Sequence, residues 1–314
     1  MTDILRNNWF VVLIAIIIIG FIGYFIYDTN KDNVTAKTTN NEQVVASINK
    51  DDITADDLYD ESTPYDGSTI YNMYKNAVID QSIKTTKDLK KQASTLESNI
   101  KSNASNQSDD YESTLTTELA KYGYASYEEL NDYCLTSVKE KEMNKKYITK
   151  HFDEVKKAWE EKSPRTVSII KMDVSDADNL TETETKKKSN IDKALEKESF
   201  ADVAKAFSED SNTANKNGFA GYVDSNSTSS DSSSTSTVPA DVVTAAIGLK
   251  KGETSDWITV TSSSGTSLYK VYVKETNSKK IFNAKSDTVS NQALYAILNS
   301  DSSLSYKILD SYAN

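Results

Sequence analysis

The sequence predicts an α+β protein: a helical domain completed by C-terminal helices, an α+β module inserted into it, and a single N-terminal transmembrane helix. Three observations predict it. Apolar residues recur at helical spacing before residue 162 and again after 287, whereas β-type alternation brackets helical stretches only between 163 and 277. Ahead of both lie 19 uncharged residues, Trp9 to Tyr27. A chain of 314 residues is long enough for two domains, each with its own core.

Composition narrows the chemistry. With 36 basic and 47 acidic residues, the net charge is −11. No basic cluster interrupts that acidic balance, so nucleic acid is not an expected partner. One cysteine, Cys134, and one histidine, His151, leave no donor set for structural zinc or a disulfide framework. They also exclude a Ser-His-Asp arrangement built elsewhere in the chain. Neither a metal nor a cofactor is expected. Cys134 lies on an apolar helical stripe and reads as a small buried hydrophobe; His151 lies among charged residues and reads as an exposed side chain.

Taken in order, residues 1–8 form a short stub. Residues 9–27, as a helix, span roughly 28 Å at ~1.5 Å per residue, which matches a bilayer's hydrocarbon core. Trp9 and Tyr27 flank the span as interfacial residues. Arg6 precedes it, and Asp28 and Asp32 outnumber Lys31 after it, so the positive-inside rule retains the N-terminus and exports the rest. The long apolar core, with no small-x-small site behind it, favours an uncleaved signal-anchor over a cleaved signal peptide. Residues 28–43 read as a polar stalk and 44–162 as the helical domain. A helix is expected from Ile53, capped by Thr54, with Asp56 and Asp57 in its first turn. Ser126 and Glu129 make a capping box at the start of a long helix.

The pattern changes at Ser163-Pro164. Residues 167–174 alternate as a strand, 182–198 and 200–207 read as helices, and Asn217-Gly218 marks a tight turn. Between Asp224 and Thr237, 11 of 14 residues are Ser or Thr, the composition of a loop. A short helix at 241–247 and strands at 255–261 and 268–274 complete the module of residues 163–277. The tail, 278–314, resumes helical spacing with a stripe it cannot bury alone, and is expected to pack on the helical domain.

Two stretches together resemble the PrsA-like foldases, extracytoplasmic folding factors related to the chaperone SurA. One is Val45-Ala46-Ser47-Ile48-Asn49-Lys50 leading to Ile53-Thr54, similar to the opening of their helical chaperone domain. The other is 163–277, which resembles a parvulin-type peptidyl-prolyl isomerase domain. It does so through Ser199-Phe200-Ala201-Asp202, Phe207-Ser208-Glu209-Asp210, Asn217-Gly218-Phe219-Ala220-Gly221, Val238-Pro239 and Gly248-Leu249-Lys250-Lys251-Gly252-Glu253. The resemblance implies a site with two histidines back to back, an Asp or Cys beside them, and a Met and Phe gripping the proline ring. Aligned so, Ser168 and Ser267 replace the histidines, Asp210 keeps the acidic position, Val238 and Val242 take the ring-gripping positions, and Ser264 matches a nearby polar residue. The implied function is a membrane-anchored extracytoplasmic foldase with a degenerate isomerase site, whose partners are unfolded or newly secreted polypeptides. An active isomerase and a surface stalk reusing these domains are the alternatives.

Overall fold

The computed structural model describes residues 38–39, 42–48, 51–54, 67–228 and 238–313. The span expected at 9–27 lies outside them, and among the described residues no helix is long and apolar enough to cross a membrane. The described residues fall into two units, one running to Met143 and including Leu309–Asn314, the other Asn144–Ile308.

In the first unit, β1 (Thr38–Thr39), β2 (Glu42–Ile48) and β3 (Asp51–Thr54) form an antiparallel sheet in that order. One expectation changes here. The end of the supposed stalk pairs as strand, while the helix expected beyond Thr54 lies outside the described residues. Asp51–Thr54 is itself a strand, and its pairing with Glu42–Ile48 satisfies backbone groups of both.

Helices α1 (Gly67–Ser82), α2 (Lys87–Ser105), α3 (Tyr111–Ala120) and α4 (Leu130–Lys150) follow. Thr86 caps α2 by accepting from the Leu89 N–H. The Ser126–Glu129 capping box is present, opening a short 3-10 turn (Tyr127–Glu129) that runs into α4. Leu89, Ala93, Leu130 and Cys134 are buried as the 3.6-residue spacing requires. Burial pushes the Cys134 thiol up to about 11. Lys139 is buried against α1, where it donates to Asp80 at 2.7 Å.

In the second unit, α5 (Phe152–Glu160) precedes β4 (Arg165–Val174). Then come α6 (Glu182–Leu195), α7 (Phe200–Phe207), α8 (Ser211–Ala214), β5 (Phe219–Val223), α9 (Ala240–Gly248), β6 (Ile258–Ser262) and β7 (Gly265–Glu275). The unit closes with α10 (Ser278–Phe282), α11 (Asp287–Ser300) and the start of α12 (Leu304–Ala313). The sheet is antiparallel throughout, with order β5-β4-β7-β6. Because β4 and β7 are central, apolar residues cover both of their faces. One face packs Val167, Ile169, Val271 and Val273 against Val242, Val243 and Ala246 of α9. The other packs Ile170, Met172, Val174 and Leu268 against Ile191 of α6 and Phe200, Val203 and Ala204 of α7.

Two side-chain-scale devices lock this arrangement. The buried Arg165 guanidinium donates to the Ala246 carbonyl, which also accepts from the Leu249 N–H, and at 3.0 Å to the Leu249 carbonyl, tying β4 to the end of α9. Gly218, at φ +77°, brings its backbone against β4, and its carbonyl accepts from the Ile169 N–H at 2.8 Å. A Cβ there would stand 2.5 Å from the Ala204 side chain and 2.9 Å from the Ile169 carbonyl, so no other residue fits.

The unit's edge differs from the expected boundary at 162. Trp159 of α5 is fully buried; it stacks on Tyr222 of β5 and donates to its hydroxyl at 2.8 Å. Tyr222 in turn donates to the buried Asp224 at 2.7 Å. α11 packs on α5, α10 and β5, so it touches an element within 44–162 and a strand within 163–277 alike.

Candidate functional site

Strand register decides which residues can meet. Successive side chains on a strand point to opposite faces, while directly paired residues on neighbouring strands share one. Ser168 pairs with Tyr272, and Tyr272 stacks on Phe200 at 5.4 Å between ring centres. Ser168 therefore faces α7. Ser267 pairs with Asp173, five residues further along β4 and on the other face, and donates to its carboxylate at 2.7 Å. The two serines do not sit back to back, and this corrects the sequence alignment. On the α9 face, the residue next to Ser168 is Ile169.

Val238 and Val242 do belong to the α9 face, but both are buried in its core with Tyr269 instead of lining an open pocket. Ser264 is exposed in the β6–β7 turn and hydrogen-bonds Ser262 at 2.8 Å; nothing joins it to the valines. Asp210 is the N-cap of α8, where it accepts from the Asn212 N–H at 3.1 Å and the Thr213 hydroxyl at 2.8 Å. Its position beside β4 is set by backbone. The Glu209 N–H donates to the Lys171 carbonyl at 2.9 Å, and the Lys171 N–H donates to the Ser208 hydroxyl at 3.1 Å.

The pair that does stand side by side across β4 and β7 on this face is Lys171 and Tyr269. Alignment missed both. Alternation places them with Ile169 and Val271, which was the available signal. Lys171 bridges to Asp173 at 2.9 Å, so Asp173 holds one oxygen against both Lys171 and Ser267. Partial burial disfavours ionised Asp173, but the Ser267 hydrogen bond and the Lys171 cation outweigh it and hold its carboxyl below the usual range. The hydrogen bond to Asp173 raises Lys171 despite some burial. Tyr269 is raised, first by burial, then by the Asp210 and Asp173 carboxylates, with Lys171 opposing. The face thus offers an apolar floor bordered by a phenol, a committed ion pair and a capping carboxylate. It carries no imidazole, since the chain's sole histidine, His151, stacks on Tyr147 ahead of α5.

A wider cleft of about 460 Å³ opens on the opposite face, among Leu195, Phe200, Asp192, Lys270 and Tyr272. No metal-binding cluster of His, Cys, Asp or Glu occurs among the described residues.

Comparison with known proteins adds a family to this geometry. The rotamase family, the PPIC-type PPIase domain, matches residues 169–272. Those bounds run from the middle of β4 to the middle of β7 and enclose α6 to α9. No curated protein matches. Among solved structures, PrsA from Bacillus subtilis is 20% identical, with 87% of this chain and 92% of that one covered and a TM-score of 0.38. The foldase protein PrsA from Streptococcus pneumoniae is 21% identical, covering 86% and 92%, with a TM-score of 0.34. A SurA-like chaperone from Campylobacter jejuni is 17% identical, covering 82% and 98%, with a TM-score of 0.25. Residues 169–272 match the PPIC-type PPIase family, and the solved structures similar to the whole chain include PrsA foldases.

Proposed function

We propose that this chain is an extracytoplasmic, membrane-anchored foldase: it binds unfolded or newly secreted polypeptides and engages their prolyl bonds on the α9 face of the PPIC-type domain. The family match at 169–272 carries the reading. Rotation about a prolyl bond faces a barrier of ~18–20 kcal/mol and needs no nucleophile, only removal of water and a polar group placed on the twisting amide. The α9 face has the polar border, but its valines fill the floor and no imidazole is present, so the domain isomerises slowly and the chain's main work is holding clients. The uncharged segment 9–27 supports anchoring, with the N-terminus retained and the folded units exported.

The test is aggregation of a denatured secreted protein, with and without an equimolar amount of the full-length chain. Suppressed aggregation is expected; unchanged aggregation contradicts the holding role. Carbonate-washed membranes should retain the chain at full length, and a soluble product beginning just after Tyr27 would contradict the anchor.

A further inference from the structure

Two tyrosines are buried among the described residues, and their hydroxyls are treated differently. Buried phenols keep a hydrogen-bond partner because the stranded hydroxyl is costly. The Tyr222 hydroxyl accepts from Trp159 and donates to Asp224. Tyr269 is only 9% exposed, its ring packed with Ile169, Val242 and Val271, yet among the described residues no group hydrogen-bonds its hydroxyl. Nor is that oxygen sealed from solvent. A ring fixed by packing with a free hydroxyl at its surface end is a donor waiting for an acceptor from outside.

The neighbouring donors are already committed. Ser267 gives its proton to Asp173, and Lys171 is paired with the same carboxylate. Asp210 and Asp173 are acceptors only when ionised. Tyr269 is therefore an uncommitted neutral donor whose ring stands on this face.

We propose that the Tyr269 hydroxyl donates a hydrogen bond to the prolyl amide of a bound peptide, making Tyr269 the residue that touches the reacting bond. This rests on the isomerase reading of the α9 face. As the amide twists, its nitrogen loses conjugation and becomes a better acceptor, so a fixed donor there favours the twisted state over either planar one. No proton is transferred and no covalent bond is made or broken. Burial and the adjacent carboxylates keep the phenol protonated through neutral pH.

The experiment uses the full-length chain, an Ala-Ala-Pro-Phe anilide and Tyr269→Phe, with fluorotyrosine labelling to follow the ring. The variant should melt as the wild type does and lose about tenfold in kcat/KM, equivalent to ~1.4 kcal/mol. The resonance missing from the variant should move when peptide is added to the wild type. Equal kcat/KM in wild type and variant overturns the proposal. If the wild type shows no turnover, the isomerase reading fails and peptide affinity decides this one. Several-fold weaker binding by the variant upholds the contact, while equal binding, or none by the wild type, overturns it. Should the variant not fold, the labelled wild type still decides: no tyrosine resonance moving with peptide overturns the assignment.

Discussion

Replacing Tyr222 with Phe tests how the second unit is held together. The substitution keeps the ring, and with it the stacking on Trp159 at 6.4 Å, and removes only an oxygen. That oxygen accepts from Trp159 Nε1 at 2.8 Å and donates to Asp224 Oδ2 at 2.7 Å. Trp159 is fully buried and Asp224 is 4% exposed, so water replaces neither bond without opening the structure. A stranded neutral donor costs ~1–3 kcal/mol, and a hydrogen bond to a charged group contributes ~1.5–3. Asp224 keeps its bonds from the Asn226 and Ser227 N–H groups, which moderates the second figure. A loss of about 3 kcal/mol follows. In a unit of about 165 residues, each kcal/mol shifts Tm by ~2–4 °C, giving a fall of about 6–12 °C. Tryptophan fluorescence melts read it directly, since Trp159 sits in the contact. A fall below about 2 °C would refute the claim that this buried chain of hydrogen bonds joins α5 to the sheet.

Other outcomes follow from the same packing and hydrogen bonds. Ser168→His puts an imidazole into the apolar packing beside Ile170 and Tyr272, so it should cost ~1–3 kcal/mol in urea melts without raising isomerase activity; a gain in activity would contradict the register argument. A fragment of residues 163–277 lacks Trp159, Phe282 and α11, and should melt below one of 144–308; equal melting would contradict the packing of α5 and α11 described above. The buried Cys134 thiol, raised to about 11, should react with a disulfide reagent far more slowly in the folded chain than in urea, and equal rates would contradict its burial. Glu184 accepts from the Ser175 and Thr181 N–H groups, which lower its carboxyl from 4.5 to about 2. Because the folded value is the lower one, its stabilisation is present above pH ~4.5 and fades as pH falls toward 2; a carboxyl resonance titrating near 4.5 would contradict the cap.

The elements themselves were legible where the signal is local. Strand alternation at 167–174, the helices beginning at Glu182 and Phe200, and the Ser126–Glu129 box all depend on neighbours in sequence, and the structure has each of them. The site was less legible. β4 is buried on both faces, so alternation separates Ser168 from Ile169 without saying which of them faces α9. The same blindness affected β7. Its ladder starts at Gly265, so Ser267 lies level with Asp173 near the strand's end, while the centre of the face falls at Tyr269. Counting from a glycine does not reveal how far a hairpin extends. Asp210 follows the short Phe207–Asp210 turn, and the bonds of Ser208 and Glu209 to Lys171 set it beside β4. The pairing of Asp51–Thr54 and the burial of Trp159 against Tyr222 are long-range contacts, and no local pattern announces them.

If a phenol serves on the α9 face with no imidazole, as proposed, prolyl segments should be held there and isomerised slowly. This is tested most directly by kcat/KM for a prolyl tetrapeptide, measured on the full-length chain beside a histidine-bearing parvulin under the same conditions. The expected rate lies clearly above the uncatalysed background and well below that of the parvulin. A rate equal to the parvulin's, or one indistinguishable from background, would contradict the proposal.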